Sequence, residues 1–209
     1  MRVPKSLSKI SDFIFLRIIG LLTWDLVRSI LTGKTFNITF WEYTKFQSLC
    51  DKSPYILVTR KKSHLTTYLI SLGNFILVGK LGYWSHAALV NKEEVYEALG
   101  SGVQKNSLMY ALQSDSAALL LPKGISVEDW SKVLLEAKEN IGRKYDAGFD
   151  LSSDDKLSCI EYVWDALREV PNHMERWPNF MGMVLLKGNV TPQMLYDSGD
   201  FDVVLEIRK

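Results

Sequence analysis

The sequence predicts an α+β fold in which an antiparallel sheet packs against helices. Three observations predict it. Short apolar, β-branched runs follow one another closely between turn signals from Tyr55 to Leu121, a spacing that suits hairpins. Two stretches with helical spacing, Ser126–Ile141 and Leu157–Leu167, come after those runs. The chain has 209 residues, 47% hydrophobic and 23% charged, an ordinary globular balance with enough length for one sizeable core.

Phe13–Leu31 is rich in Phe, Ile, Leu and Val and follows Arg2, Lys5 and Lys9. Arg17, Asp25 and Arg28 interrupt it, and each charge at the centre of a spanning helix costs about 2.5–3.5 kcal/mol. These charges fall on one side at helical spacing and leave a broad apolar face. The segment reads as a helix docked on the domain, a helix lying on a membrane surface, or a tilted span. No small-residue cleavage site follows, so a signal peptide is not expected. Phe40–Phe46 reads as the end of a second helical element. Asp51-Lys52-Ser53-Pro54 is a turn signal. Tyr55–Thr59 is the first strand, and Leu65–Gly79 a short helix plus a loop. Ser85–Val90 and Val95–Ala98 form a hairpin about Asn91–Glu94, and Val103–Leu108 and Ala117–Leu121 are further strands. Ser126 caps a helix supported by Asp129. Arg143–Phe149 is a loop, Asp154 and Asp155 suit the N-terminus of the next helix, and Phe201–Ile207 alternates as a final strand. The chain divides into an N-terminal helical extension, residues 1–50, and a domain, residues 51–209.

Composition removes several function classes. The formal net charge is +1, which gives no general electrostatic reason to expect a nucleic-acid partner; Arg60-Lys61-Lys62 reads as a solvated loop. Cys50 and Cys159 are the two cysteines, too few for a disulfide framework. His64, His86 and His173 are scattered and no HExxH spacing occurs, so neither a metal site nor a cofactor is expected. A cytoplasmic or peripheral-membrane location is the simplest reading.

Chemistry concentrates on Cys159. It heads an apolar helical stretch, where the positive end of the helix dipole and orphan backbone N–H groups favour thiolate. His86 lies on an apolar strand and is able to complete a nucleophile–base pair. In a hairpin centred near Lys92-Glu93, paired residue numbers sum to about 185, which brings His86 close to Glu97. A carboxylate beside an imidazole orients the ring and stabilises imidazolium. Each residue also has a structural reading: Cys159 as a small buried hydrophobe, His86 as a satisfied core histidine, and Glu97 as a surface residue.

Four segments, Ser85-His86-Ala87-Ala88-Leu89-Val90, Tyr96–Val103, Gly142–Phe149 and Ser158–Val163, together resemble the circularly permuted NlpC-like papain-fold group. The YiiX-like hydrolases belong to it, and the lecithin–retinol acyltransferases are more distant relatives. The resemblance covers about Tyr55 to Leu167; residues 1–50 and the tail after Pro171 have no counterpart. It implies a papain-like core, an antiparallel sheet or barrel packed against a nucleophile-bearing helix, with the histidine strand preceding the cysteine helix; the extra N-terminal helices, read from residues 1–50, are additions to that core. It implies Cys159 as nucleophile, His86 as base, Glu97 as the orienting residue and Tyr145 near the oxyanion site; a tyrosine packed under its loop is the structural alternative for Tyr145.

The expected activity is a cysteine hydrolase cleaving an amide or peptide bond through an acyl-enzyme, on a cell-wall peptide-like or lipid-linked acyl substrate. A lipid acyltransferase or thioesterase at a membrane surface, and a non-catalytic binding module on the same fold, are the competing readings. The expected partners are that substrate and a membrane surface met through the N-terminal helix, with no nucleic acid.

Overall fold

The computed structural model describes residues 38–62, 64–146 and 155–209; the helix expected over Phe13–Leu31 lies outside them. Phe40–Cys50 forms α1. Thr39 and Glu42 make a reciprocal capping box there, so Phe40 begins this helix instead of lying near its end. β1 (Tyr55–Arg60), β2 (His86–Asn91), β3 (Glu94–Leu99), β4 (Gly102–Ser107), β5 (Ser116–Pro122) and β8 (Phe201–Ile207) build one antiparallel sheet in the order β4-β3-β2-β1-β5-β8. Among the described residues β4 and β8 are its two edges, so the sheet is open there and the expected barrel alternative is not seen.

Each sheet face covers part of the core. On one face Phe46 and Cys50 of α1 bury against Leu57, Ala88, Val90, Val95 and Leu119. On the other, Ile56, Val58, Ala87, Leu89 and Leu120 meet α4 (Val127–Glu139) and α5 (Cys159–Arg168). The alternation of these residues between faces is the period-two signature of a strand. α4 is capped by Ser126 and Asp129, as its sequence requires, and Arg176, far along the chain, pairs with Asp129.

Two elements are larger than the sequence suggested. Leu65–Val78 is continuous helix, α2, running through Gly73 and stopping at Gly79, whose φ of 75° suits a residue without Cβ. The tail after Pro171 supplies α6 (His173–Arg176), α7 (Pro178–Lys187) and α8 (Pro192–Asp197). Trp177, Phe180 and Met181 from this tail are fully buried, and Trp177 stacks on Phe201 at 6.0 Å while its indole N–H reaches the Lys123 carbonyl at 3.0 Å. Arg60 is not in a solvated loop. It ends β1, is buried, donates to the Tyr83 carbonyl at 2.7 Å and lies 4.8 Å over the Tyr83 ring. Leu108–Ala111 is a single helical turn, α3, and the short strands β6 (Lys144–Tyr145) and β7 (Lys156–Leu157) pair in parallel before α5.

Candidate active site

Cys159 is the first residue of α5, and its position follows from a local rule. Ser158 precedes it as the helix cap, its Oγ accepting from Glu161 N–H at 3.4 Å while the Glu161 carboxylate accepts from Ser158 N–H at 2.7 Å. The reciprocal cap fixes where the helix starts. Cys159 is therefore held at the first turn, where the backbone N–H groups have no intrahelical acceptor. Both Ser158 and Glu161 are buried. Burial raises the Glu161 carboxyl above its ordinary value, against the lowering effect of its bonds to Ser158.

His86 begins β2. The β2–β3 pairs Leu89–Tyr96, Val90–Val95 and Asn91–Glu94 have the expected register. Beyond them, at the open end of the hairpin, His86 Nε2 and Glu97 Oε2 are 2.7 Å apart. The imidazole also hydrogen-bonds Cys159, and with Nε2 on the carboxylate this bond falls to Nδ1. Glu97 is 2% exposed, so it is not a surface residue. Its second oxygen accepts from Asn106 Nδ2 at 2.7 Å. The four side chains thus run in a row: thiol, imidazole, carboxylate, amide.

Asn106 was missed in the sequence. The signal was available in the β3–β4 register, where Glu97 faces Gln104 and Val95 faces Asn106. Asn106 is a diagonal neighbour of Glu97, within reach of a long side chain. Finding it needed the hairpin arithmetic to be carried one strand further.

The electrostatics bind the row together. Burial alone lowers the His86 pKa, but the Cys159 thiolate and the bonds to Cys159 and Glu97 outweigh it and lift the group from 6.5 to about 10. Burial raises the Glu97 carboxyl, and His86 and Asn106 more than reverse this, leaving it below its ordinary value. Cys50 is the contrast. It is fully buried, and burial, with the charges of Asp51 and Glu93, pushes its thiol up to about 12. Neither cysteine is in a disulfide.

Tyr145 sits in β6 and hydrogen-bonds Cys159; burial first, then the charges of Cys159, Glu161 and Asp146, raise its phenol. β4 places this segment. Val103 N–H donates to the Arg143 carbonyl at 2.8 Å and Gly142 N–H to the Val103 carbonyl at 2.9 Å. Gly102 lies against the same carbonyl with φ of 110°, and a Cβ there would come within 2.6 Å of Arg143 O. Gly102→Ala is therefore expected to displace the Arg143–Tyr145 segment and to cost about 1–3 kcal/mol of stability. Chemical denaturation checks it; an unchanged midpoint contradicts the account.

Two cavities meet at Tyr145. One, of 450 Å³, contains Cys159, His86 and Glu97 and has a polar wall that includes Lys61, His64, Ser85, Gln113 and Ser114. The other, of 570 Å³, is an apolar groove lined by Leu69, Ile70, Leu77, Ile160, Val190 and Pro192. Thr66, Ile70 and Tyr145 border both. Among the described residues no group of three or more His, Cys, Asp or Glu side chains is placed to hold a metal ion.

Comparison with known proteins gives this arrangement a family. The crystal structure of metalloprotein yiiX from Escherichia coli O157:H7 is similar in fold, with 19% identity and a TM-score of 0.56 over 75% of this chain and 98% of that one. No curated protein matches the sequence significantly. The permuted papain-like amidase family, YaeF/YiiX or C92, matches residues 56–205, a span that begins in β1, ends in β8 and includes the histidine strand, the glutamate strand and the cysteine helix. The chain belongs to that family and is an amidase of the permuted papain-like fold.

Proposed function

We infer that the chain is a cysteine amidohydrolase working through Cys159, His86 and Glu97. The observation that carries this reading is the connected row from Cys159 through His86 to Glu97, at the N-terminus of α5 and open to a cavity. The Cys159 thiolate attacks the acyl carbon of the substrate. His86, protonated in the ion pair, donates its proton to the leaving amine as the C–N bond breaks. The oxyanion is met by the backbone N–H of Cys159, with the Tyr145 hydroxyl beside it. Water, deprotonated by His86, then resolves the thioester. Glu97 holds the ring in the tautomer that serves Cys159 and balances the imidazolium.

A lipid-linked acyl substrate fits the two cavities better than a cell-wall peptide. The apolar groove beside Tyr145 and Ile160 suits an aliphatic acyl group, and the polar wall with Lys61 and His64 suits a polar leaving group. The division into residues 1–50 as an extension and 51–209 as the hydrolase domain belongs to the same proposal. Incubation with N-acyl amides of increasing chain length tests it. An acyl adduct on Cys159 in the intact-mass spectrum, with turnover favouring apolar acyl groups, supports the reading; turnover undiminished in Cys159→Ala contradicts the mechanism.

The pH dependence follows from the shifts. His86 has a raised folded-state value, so its stabilising contribution is full below 6.5 and lost as pH rises through about 10. Glu97 has a lowered value, so its contribution is full above 4.5 and lost as pH falls through its folded-state value. From these two groups the melting temperature should fall as pH climbs from 6.5 toward about 10. The fall should shrink in Cys159→Ala, because the thiolate that lifts His86 is gone. An identical pH profile for the two proteins in thermal melts contradicts the assigned coupling.

A further inference from the structure

α2 is amphipathic in the wrong sense for a helix covering a core. Thr67, Ser71 and Asn74 are buried, together with Tyr68. Leu65, Leu69, Leu72 and Ile76, at spacings i, i+4, i+7 and i+11, form the opposite stripe. Leu65, Leu69 and Ile76 are 56%, 58% and 76% exposed. The inward polar side chains explain how such a helix stays attached. Thr67 Oγ1 reaches the Lys61 carbonyl at 2.8 Å and Ser85 Oγ at 3.1 Å, and Asn74 bridges the Lys80 carbonyl at 2.7 Å and Thr191 Oγ1 at 2.6 Å. Those hydrogen bonds do not require the outer stripe to be apolar.

The apolar exposure continues on α7, whose last turn carries Leu185 and Leu186, the latter 84% exposed. Asn189 and Val190, just after this turn, form the wall of the apolar groove opposite α2. Exposed apolar residues on this scale mark an interaction surface. The charge flanking the two helices is mostly basic. No acidic residue occurs in Leu65–Gly79 or Trp177–Val190, and Lys61, Lys62, Lys80 and Lys187 flank the two helices. Lys80 also pairs with Asp197 at 3.2 Å. A second copy docked face to face would bring two lysine-flanked faces together with little acidic charge between them. An anionic bilayer surface supplies both the apolar phase and the opposite charge.

We propose that the outer face of α2 and the last turn of α7 dock on an anionic lipid bilayer, with the apolar groove opening at the interface. At about 1.5 Å per residue the fourteen-residue α2 is too short to cross, and no helix among the described residues is long and apolar enough to do so; the helix lies in the interface plane. This docking does not depend on which bond Cys159 attacks.

Flotation of the full chain with phosphatidylcholine–phosphatidylglycerol vesicles, and with phosphatidylcholine alone, tests it. Wild type and Cys159→Ala should both float with the anionic vesicles, less with the neutral ones, and less again in high salt. The double variant Leu69→Ser/Ile76→Ser, and separately Leu186→Ser, should lower the partition coefficient by about tenfold or more while melting like wild type. Three results overturn the proposal: no flotation of wild type, flotation undiminished in folded variants of both kinds, or a dimer in sedimentation that the same substitutions dissociate. Undiminished flotation would assign membrane binding to residues outside this face.

Discussion

Replacing Cys159 with alanine is expected to lower amide hydrolysis by roughly 10⁴-fold or more and to abolish the acyl adduct. In the proposed mechanism the nucleophile is a single atom, and no neighbouring group in the row replaces it. His86 keeps its bond to Glu97, and the cap formed by Ser158 and Glu161 does not use the thiol. The fold should therefore persist. The same variant removes the thiolate that lifts His86, so the imidazole should titrate at lower pH than in wild type. Ring-carbon NMR of His86 reads this independently of any substrate. Loss of hydrolysis with no change in the His86 titration would mean that Cys159 is needed for turnover but not paired with His86 in the free enzyme.

Glu97→Gln should cost nearly as much, on the order of 10³–10⁴-fold in kcat, for a reason written in the hydrogen-bond order. Asn106 Nδ2 donates to Glu97 Oε1. A glutamine obeying that donor must turn its carbonyl to Asn106 and its amide N–H to His86. His86 Nε2 would then accept, placing the proton of a neutral ring on Nδ1, the nitrogen that faces Cys159. The ring could no longer take the thiol proton. Adding Asn106→Asp supplies an acceptor for the glutamine N–H and lets its carbonyl turn back to His86. The double variant should regain about tenfold or more of the lost kcat, although the carboxylate charge beside His86 is still missing. Steady-state kinetics on the two variants check this. Equal activity of single and double variants would show that tautomer control by Asn106 is not the cause.

Much of this site was legible in the sequence because it is built from short-range rules. The hairpin about Lys92-Glu93 has a register fixed by its turn, so the approach of His86 to Glu97 followed from arithmetic. The start of α5 was marked by the apolar stretch that Cys159 heads, after Asp154 and Asp155; the cap formed by Ser158 and Glu161 was not read from the sequence. The relation between the hairpin and that helix was not local. It depends on α5 packing over β2 and β3, and the family resemblance supplied it in advance of the structure. The strands of the sheet were legible from β-branched runs, and Phe201–Ile207 from its alternation.

What was missed had physical causes. Thr39 caps α1, but the aromatic run after it drew the reading toward a helix end. α2 contains Gly73 and hides polar residues while showing leucines to solvent, so its pattern obeys the helical period with the faces exchanged. α7 and α8 begin at Pro178 and Pro192, where proline is tolerated in the first turn, yet the mixture of Pro, Gly, Trp and Met obscured any period. Arg60 looked solvated because its neighbours are lysines; its burial depends on Tyr83, distant in sequence and brought close only by the fold. The open sheet replaced the barrel alternative because β4 and β8 end up at opposite edges, a long-range outcome that strand propensity does not encode.

Iodoacetamide labelling across pH, with site identification by mass spectrometry, on wild type and on His86→Ala, tests directly whether Cys159 and His86 act as a pair. Rapid alkylation of Cys159 at neutral pH, little at Cys50, and a marked loss of Cys159 labelling at neutral pH when His86 is removed are expected. Labelling of Cys159 no faster than that of Cys50, and the same in His86→Ala, would contradict that pairing.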